Sequence, residues 1–92
     1  MMSPEQCKMA RAGLSIGVRE LAESARVSIG TVSRFEAGQG VPDMTVGLFQ
    51  KALERAGAEF VSEGDDTGVW LRRSAKAVET IPIEQLSAQN DE

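Results

Sequence analysis

Apolar and polar positions recur with helical spacing twice between residues 18 and 38. In the first stretch Val18, Leu21, Ala22 and Ala25 fall on one stripe, while Arg19, Glu20, Glu23 and Ser24 lie off it. In the second, residues 29 to 37, Val32 and Phe35 supply the inward face, and Ile29, Gly30, Thr31, Ser33 and Arg34 are left outside. The end signals agree with this division. Gly17 is an N-cap whose N–H lies in reach of Glu20, half of a capping box without the hydroxyl. Ser28 is the stronger cap, and Gly38 is the natural left-handed stop. Two short helices joined by a tight turn make a helix-turn-helix. The outer face of its second helix is built of small residues plus Arg34 and carries no acid. Such a face fits a major groove about 12 Å wide, so double-stranded DNA is the expected partner.

The stretch RELAESARVSIGTVSRFEAG, residues 19 to 38, resembles the Cro/C1-type (XRE) helix-turn-helix family at nearly every signature position. The resemblance runs from Ser3 to about Gly57 and implies a first helix from Pro4 to about Gly13 and a later one from Asp43 to Ala56. It implies roles residue by residue. Ser28 and the N–H groups beside it would hold a phosphate, helped by the helix dipole. Ile29, Gly30 and Arg34 match principal base-contacting positions, with Thr31 and Ser33 secondary. Arg34 is the leading reader, because a guanidinium pairs in bidentate fashion with guanine O6 and N7. Ile29 suits a thymine methyl. Arg19 and Arg26 would reach phosphates from the preceding helix, and they read equally well as solvated surface charges. Arg11 and Glu36 match a semi-buried ion pair that ties the first helix to the third, a structural role. Two departures stand out. Arg26 occupies a turn position usually held by Gly, at a cost on the order of 1 kcal/mol if φ is positive, and Gly30 lies in the first turn of the second helix, where it reads either as tolerated drift or as a bare backbone that lets the helix approach a phosphate or base edge closely. Val18 also stands where many family members place a phosphate-binding Gln.

After Gly57 the character changes. AEFVS and VWLRR are β-prone runs separated by EGDDTG, which reads as a turn, so a hairpin is expected. A lone two-stranded hairpin is marginal and must pack or pair. One reading pairs it with the hairpin of a second chain through Phe60, Val61, Val69, Trp70 and Leu71, giving the twofold symmetry a palindromic operator demands. The other folds it back on its own helices with Trp70 as a plug. In the following residues Pro82 opens a candidate short helix, and the acidic ending reads as a flexible tail or a docking segment.

Bulk properties bound these readings. Ninety-two residues make one small domain with a modest core, which favours dimerisation. The core is expected from Leu14, Ile16, Leu21, Ala22, Val32, Phe35, Val46, Phe49 and Leu53. The lone Cys7 shares the spacing of core positions and reads as a small buried hydrophobe. With one Cys and no His, neither an internal disulfide nor a zinc-finger pairing is expected. The absence of a long apolar run and of a signal-peptide pattern gives an expectation of no membrane and a cytoplasmic location. The net charge of −4 argues against nucleic acid until it is divided. Residues 1 to 57 carry seven bases against six acids, and residues 58 to 92 carry three against eight. The acidity lies mostly outside the helix-turn-helix.

The expected architecture is mainly α: a small helix-turn-helix bundle of about four helices, then a β-hairpin and a C-terminal tail. Residues 1–57 form the DNA-binding domain, 58–73 the hairpin for dimerisation, and 74–92 the tail. The expected function is a sequence-specific transcriptional regulator, a repressor acting as a homodimer. The alternative is a protein-interaction module on the same fold, an antitoxin or anti-activator whose partner is met through the C-terminal region. No cofactor or metal is expected, and the lack of His, Tyr and any nucleophile beside a base speaks against an enzyme.

Overall fold

The computed structural model describes residues 1–72, in which four helices precede a two-stranded antiparallel hairpin. Helix α1 spans Pro4–Leu14, α2 Val18–Ala25, α3 Ile29–Glu36 and α4 Asp43–Ala56, and the strands are β1, Ala58–Glu63, and β2, Asp66–Leu71. The mainly helical bundle followed by a hairpin is therefore the fold. The tail expected over residues 74–92 lies outside the described residues.

Local signals set the helix ends. Ser3 Oγ accepts from Gln6 N–H at 3.1 Å, Gln6 Oε1 accepts from Ser3 N–H at 3.0 Å, and Pro4 takes the first helical position. Gly17 N–H donates to Glu20 Oε1 at 2.8 Å, which opens α2. Ser28 Oγ accepts from Thr31 N–H at 3.1 Å and opens α3. Helices α1, α2 and α3 close with the same pair of bonds around a left-handed residue, respectively Ser15 (φ 58°), Arg26 (φ 60°) and Gly38 (φ 86°). In each, the next N–H reaches back five residues, Ile16 to Arg11, Val27 to Ala22 and Gln39 to Arg34, at 2.9, 3.0 and 2.9 Å. Arg26 thus takes the positive φ that its place in the turn implied. Helix α1 continues one residue past Gly13.

The core follows the predicted stripes. Leu21, Ala22, Val32, Phe35, Val46, Phe49 and Leu53 are buried, and the Phe35 and Phe49 rings meet at 5.5 Å between centroids, tilted by 48°. Leu14 and Ile16, expected inside, pack half-buried on its margin, and Cys7 is fully enclosed. Met2, which no periodicity marks, is buried as well, its N–H donating to Gln50 Oε1 at 3.2 Å.

The hairpin folds back on α1. Its register pairs Ala58 with Leu71, Phe60 with Val69 and Glu63 with Asp66 across a two-residue turn at Gly64 (φ 61°) and Asp65. One face carries Ala58, Phe60, Val69 and Leu71; Ala58 is buried, Phe60 and Val69 pack against the core, and Leu71 lies on α1. A Cβ on Gly13 would stand 2.7 Å from Leu71 Cδ1, so the bare backbone there permits the approach. Gln6, almost fully buried, donates from Nε2 to Val61 O at 2.9 Å and Gly68 O at 3.0 Å, stitching both strands to the helix. Of the alternative reading, the fold-back holds but the Trp70 plug is not formed. With side chains alternating across the sheet, Trp70 falls on the face turned away from the bundle and is 65 % exposed. For the same reason the five residues assigned to a dimer contact divide: Phe60, Val69 and Leu71 serve the chain's own packing, and Val61 and Trp70 face outward.

Among the described residues no helix is long and apolar enough to cross a membrane, and no group of three or more His, Cys, Asp or Glu side chains could hold a metal ion.

Candidate nucleic-acid interface

Helix α3 is held by its inward residues and leaves its other side open. Val32 is fully buried and Phe35 nearly so, whereas Ser28, Ile29, Gly30, Ser33 and Arg34 are exposed, Ile29 at 42 %. Three polar side chains are linked along one edge. Ser28 Oγ and Thr31 Oγ1 share a hydrogen bond at 2.8 Å, and Arg34 Nη2 donates to Thr31 Oγ1 at 3.3 Å. Thr31 is accordingly half-buried and engaged, while Arg34 lies back along the helix toward its N-terminus. A Cβ on Gly30 would sit 3.7 Å from Arg34 Nη1, ordinary contact, so packing alone does not require Gly there.

The start of α3 also keeps donors free. Thr31 N–H and Val32 N–H bond to Ser28, but those of Ile29 and Gly30 have no protein partner among the described residues. Together with the helix dipole they form an exposed spot of partial positive charge.

The acid of α3 points elsewhere. Glu36 accepts from Arg11 Nε and Nη2, both at 2.7 Å, and from Cys7 Sγ at 3.1 Å. Arg11 Nη1 also donates to Ile16 O at 3.3 Å, so one guanidinium joins α1, the following loop and α3. Burial pushes the Glu36 carboxyl up, but the hydrogen bonds from Arg11 and Cys7, with the charges of Arg11 and Lys8, more than offset this and hold it below the usual carboxylate range. The bonds to Glu36 raise the Arg11 guanidinium against the opposing effect of burial. Burial pushes the Cys7 thiol up, reinforced by the hydrogen bond and negative charge of Glu36, which leaves it a protonated donor rather than a reactive thiolate. With Glu36 neutralised inside, the outer surface from Arg26 to Phe35 carries two cations and no anion.

Compared with models of known protein families and with curated proteins, the chain matches none. The geometry of α2, α3 and their turn is what bears on function. Arg19 and Arg26 are exposed on α2 and at its end, and no ion pair engages either among the described residues. They share the helix-turn-helix with Ser28 and Arg34, whereas Phe60, Val61, Val69, Trp70 and Leu71 belong to the separate hairpin. The sequence reading passed over Gln6, the residue that fastens the hairpin. Its signal was present in Ser3-x-x-Gln6, the spacing of a capping box.

Proposed function

We propose that the chain is a sequence-specific DNA-binding transcriptional regulator of the Cro/C1-type helix-turn-helix kind, acting as a homodimer with α3 in the major groove. The observation that carries this reading is the face of α3: exposed, free of acid, open at its N–H groups, and bearing one guanidinium. In this reading the N-terminus of α3 receives a backbone phosphate, with Ser28 beside it. Phosphate contacts from Arg19 and Arg26 fix the register, and Ile29, Gly30, Ser33 and Arg34 meet base edges. Arg34 leaves its tether to Thr31 for a guanine, exchanging a neutral acceptor for a bidentate pair. Repression follows if the operator overlaps a promoter. The excess of acids over bases after residue 57 favours a second reading, a protein partner bound through that region.

Iterated selection from a random duplex pool tests the main reading. Enrichment of one motif, with half-sites about 34 Å apart, is expected. Anisotropy titration should then show tighter binding to that motif than to a scrambled duplex, weakening as salt rises. A pool that stays random would refute sequence-specific binding.

A further inference from the structure

We propose that β2 pairs antiparallel, edge to edge, with β2 of a second copy of this chain about a twofold axis that passes between Val69 and its counterpart. The homodimer belongs to the function proposed above, but the arrangement of its interface rests on the hairpin alone. Arg72 N–H donates to Gly57 O at 2.7 Å, which fixes the alternation of bonded and unbonded pairs along the hairpin. By that alternation Ala58–Leu71, Phe60–Val69 and Ser62–Thr67 are the pairs whose N–H and C=O groups point outward. On β2 these are the groups of Thr67, Val69 and Leu71, and none has a protein partner among the described residues. The strand, DTGVWL, carries no Lys, Pro or bulge, the usual devices that keep an edge single.

Charge and shape select the partner and the register. With Val69 opposite Val69 of the second copy, Thr67 faces the second copy's Leu71, Gly68 faces its Trp70, and Asp66 faces its Arg72. These last two pairs lie on the outward face and each occurs twice. Asp66 thereby meets an opposite charge, and Arg72, which among the described residues pairs with exposed Glu59, gains a second carboxylate. Over Gly68 the outward face opens a groove of about 520 Å³ between Val61 and Trp70, rimmed by Glu63 and Asp66. The indole of the second copy's Trp70 would enter it, an aromatic covering a strand glycine. Strand β1 offers no such match. It has Glu59 and Glu63 and no base, and Phe60 and Ser62 share a cleft with Met1, Met2 and Gln50 of the same chain.

Solution mass and the emission of the chain's single Trp test the pairing without DNA. The full chain should be a dimer whose emission shifts to the red on dilution to monomer. Asp66→Arg and Arg72→Asp should each raise the dimer Kd roughly 30-fold, because two facing pairs become like-charged. An equimolar mixture of the two variants should form a heterodimer of near wild-type affinity, since every facing pair is then opposite again; far-ultraviolet circular dichroism of each variant alone should show the native helices despite the loss of the exposed Arg72–Glu59 bridge in Arg72→Asp. A monomeric wild type, single variants that dimerise unchanged, or a mixture that stays monomeric would each overturn the proposal. DNA binding by a monomeric wild type would remove this interface and leave the DNA reading standing.

Discussion

Replacing Arg11 by Ala isolates the ion pair that turns the acid of α3 inward. The substitution removes two charge-assisted hydrogen bonds of 2.7 Å to Glu36 and the 3.3 Å bond to Ile16 O, and leaves Cys7 Sγ as the carboxylate's donor. Breaking a fully buried pair costs about 3–5 kcal/mol. Here the side chains are 20 % and 9 % exposed, which points to the lower end, about 3 kcal/mol. A domain of this size is stable by about 4–10 kcal/mol, so the loss is a large share. Urea unfolding followed by far-ultraviolet circular dichroism should show the midpoint at pH 7 falling by about 2–3 M.

The pH dependence carries a sign that a generic surface mutation would not share. In the wild type the Glu36 carboxyl titrates below its unfolded value, so its contribution is full above about pH 4.3 and is lost as pH falls through the folded value. Without Arg11, burial is opposed only by the Cys7 hydrogen bond and the Lys8 charge, so the carboxyl moves up from its wild-type value. Protonation then relieves the variant, and the gap to wild type should narrow as pH drops from 7 toward 4. A loss under about 1 kcal/mol at pH 7, or a gap constant across this range, would refute the argument that this pair is desolvated and structural.

Three further outcomes are expected. Arg34→Ala should weaken binding to a selected operator by about 1–3 kcal/mol with the unfolding midpoint unchanged, and equal affinity would remove Arg34 as a base reader. Arg26→Gly should stabilise the fold by up to about 1 kcal/mol, because φ is 60° there and Gly bears no Cβ; a lowered thermal midpoint would show that Arg26 contributes more than its backbone costs. Gln6→Leu should cost about 1–3 kcal/mol by leaving two strand carbonyls without their side-chain donor. Amide exchange should quicken first in β1 and β2, and uniform acceleration across α2 and α3 as well would mean that the hairpin does not open by itself.

The sequence by itself determined the helices, the caps of α2 and α3 and most of the core. These are local matters: an N-cap, an N3 acid and a 3.6-residue stripe act within one or two turns, so Gly17 with Glu20, Ser28 with Thr31, and the burial of Leu21, Val32 and Phe49 were all legible. The same local rules identified the outward residues of α3. What lay beyond them was every choice between two surfaces of similar polarity. Alternation along VWL says that Trp70 and Val69 face opposite ways, but not which of them meets the bundle. That was decided by the approach of Leu71 over Gly13 and by Gln6, fifty-five residues from Val61 in sequence, reaching both strands. Met2 and Gln6 are buried by the same long-range fit, which no stripe records. Apolar periodicity fixes which side of an element leaves water; only the packed chain fixes what that side meets, because contact specificity comes from complementary shape and paired polar groups across distant segments.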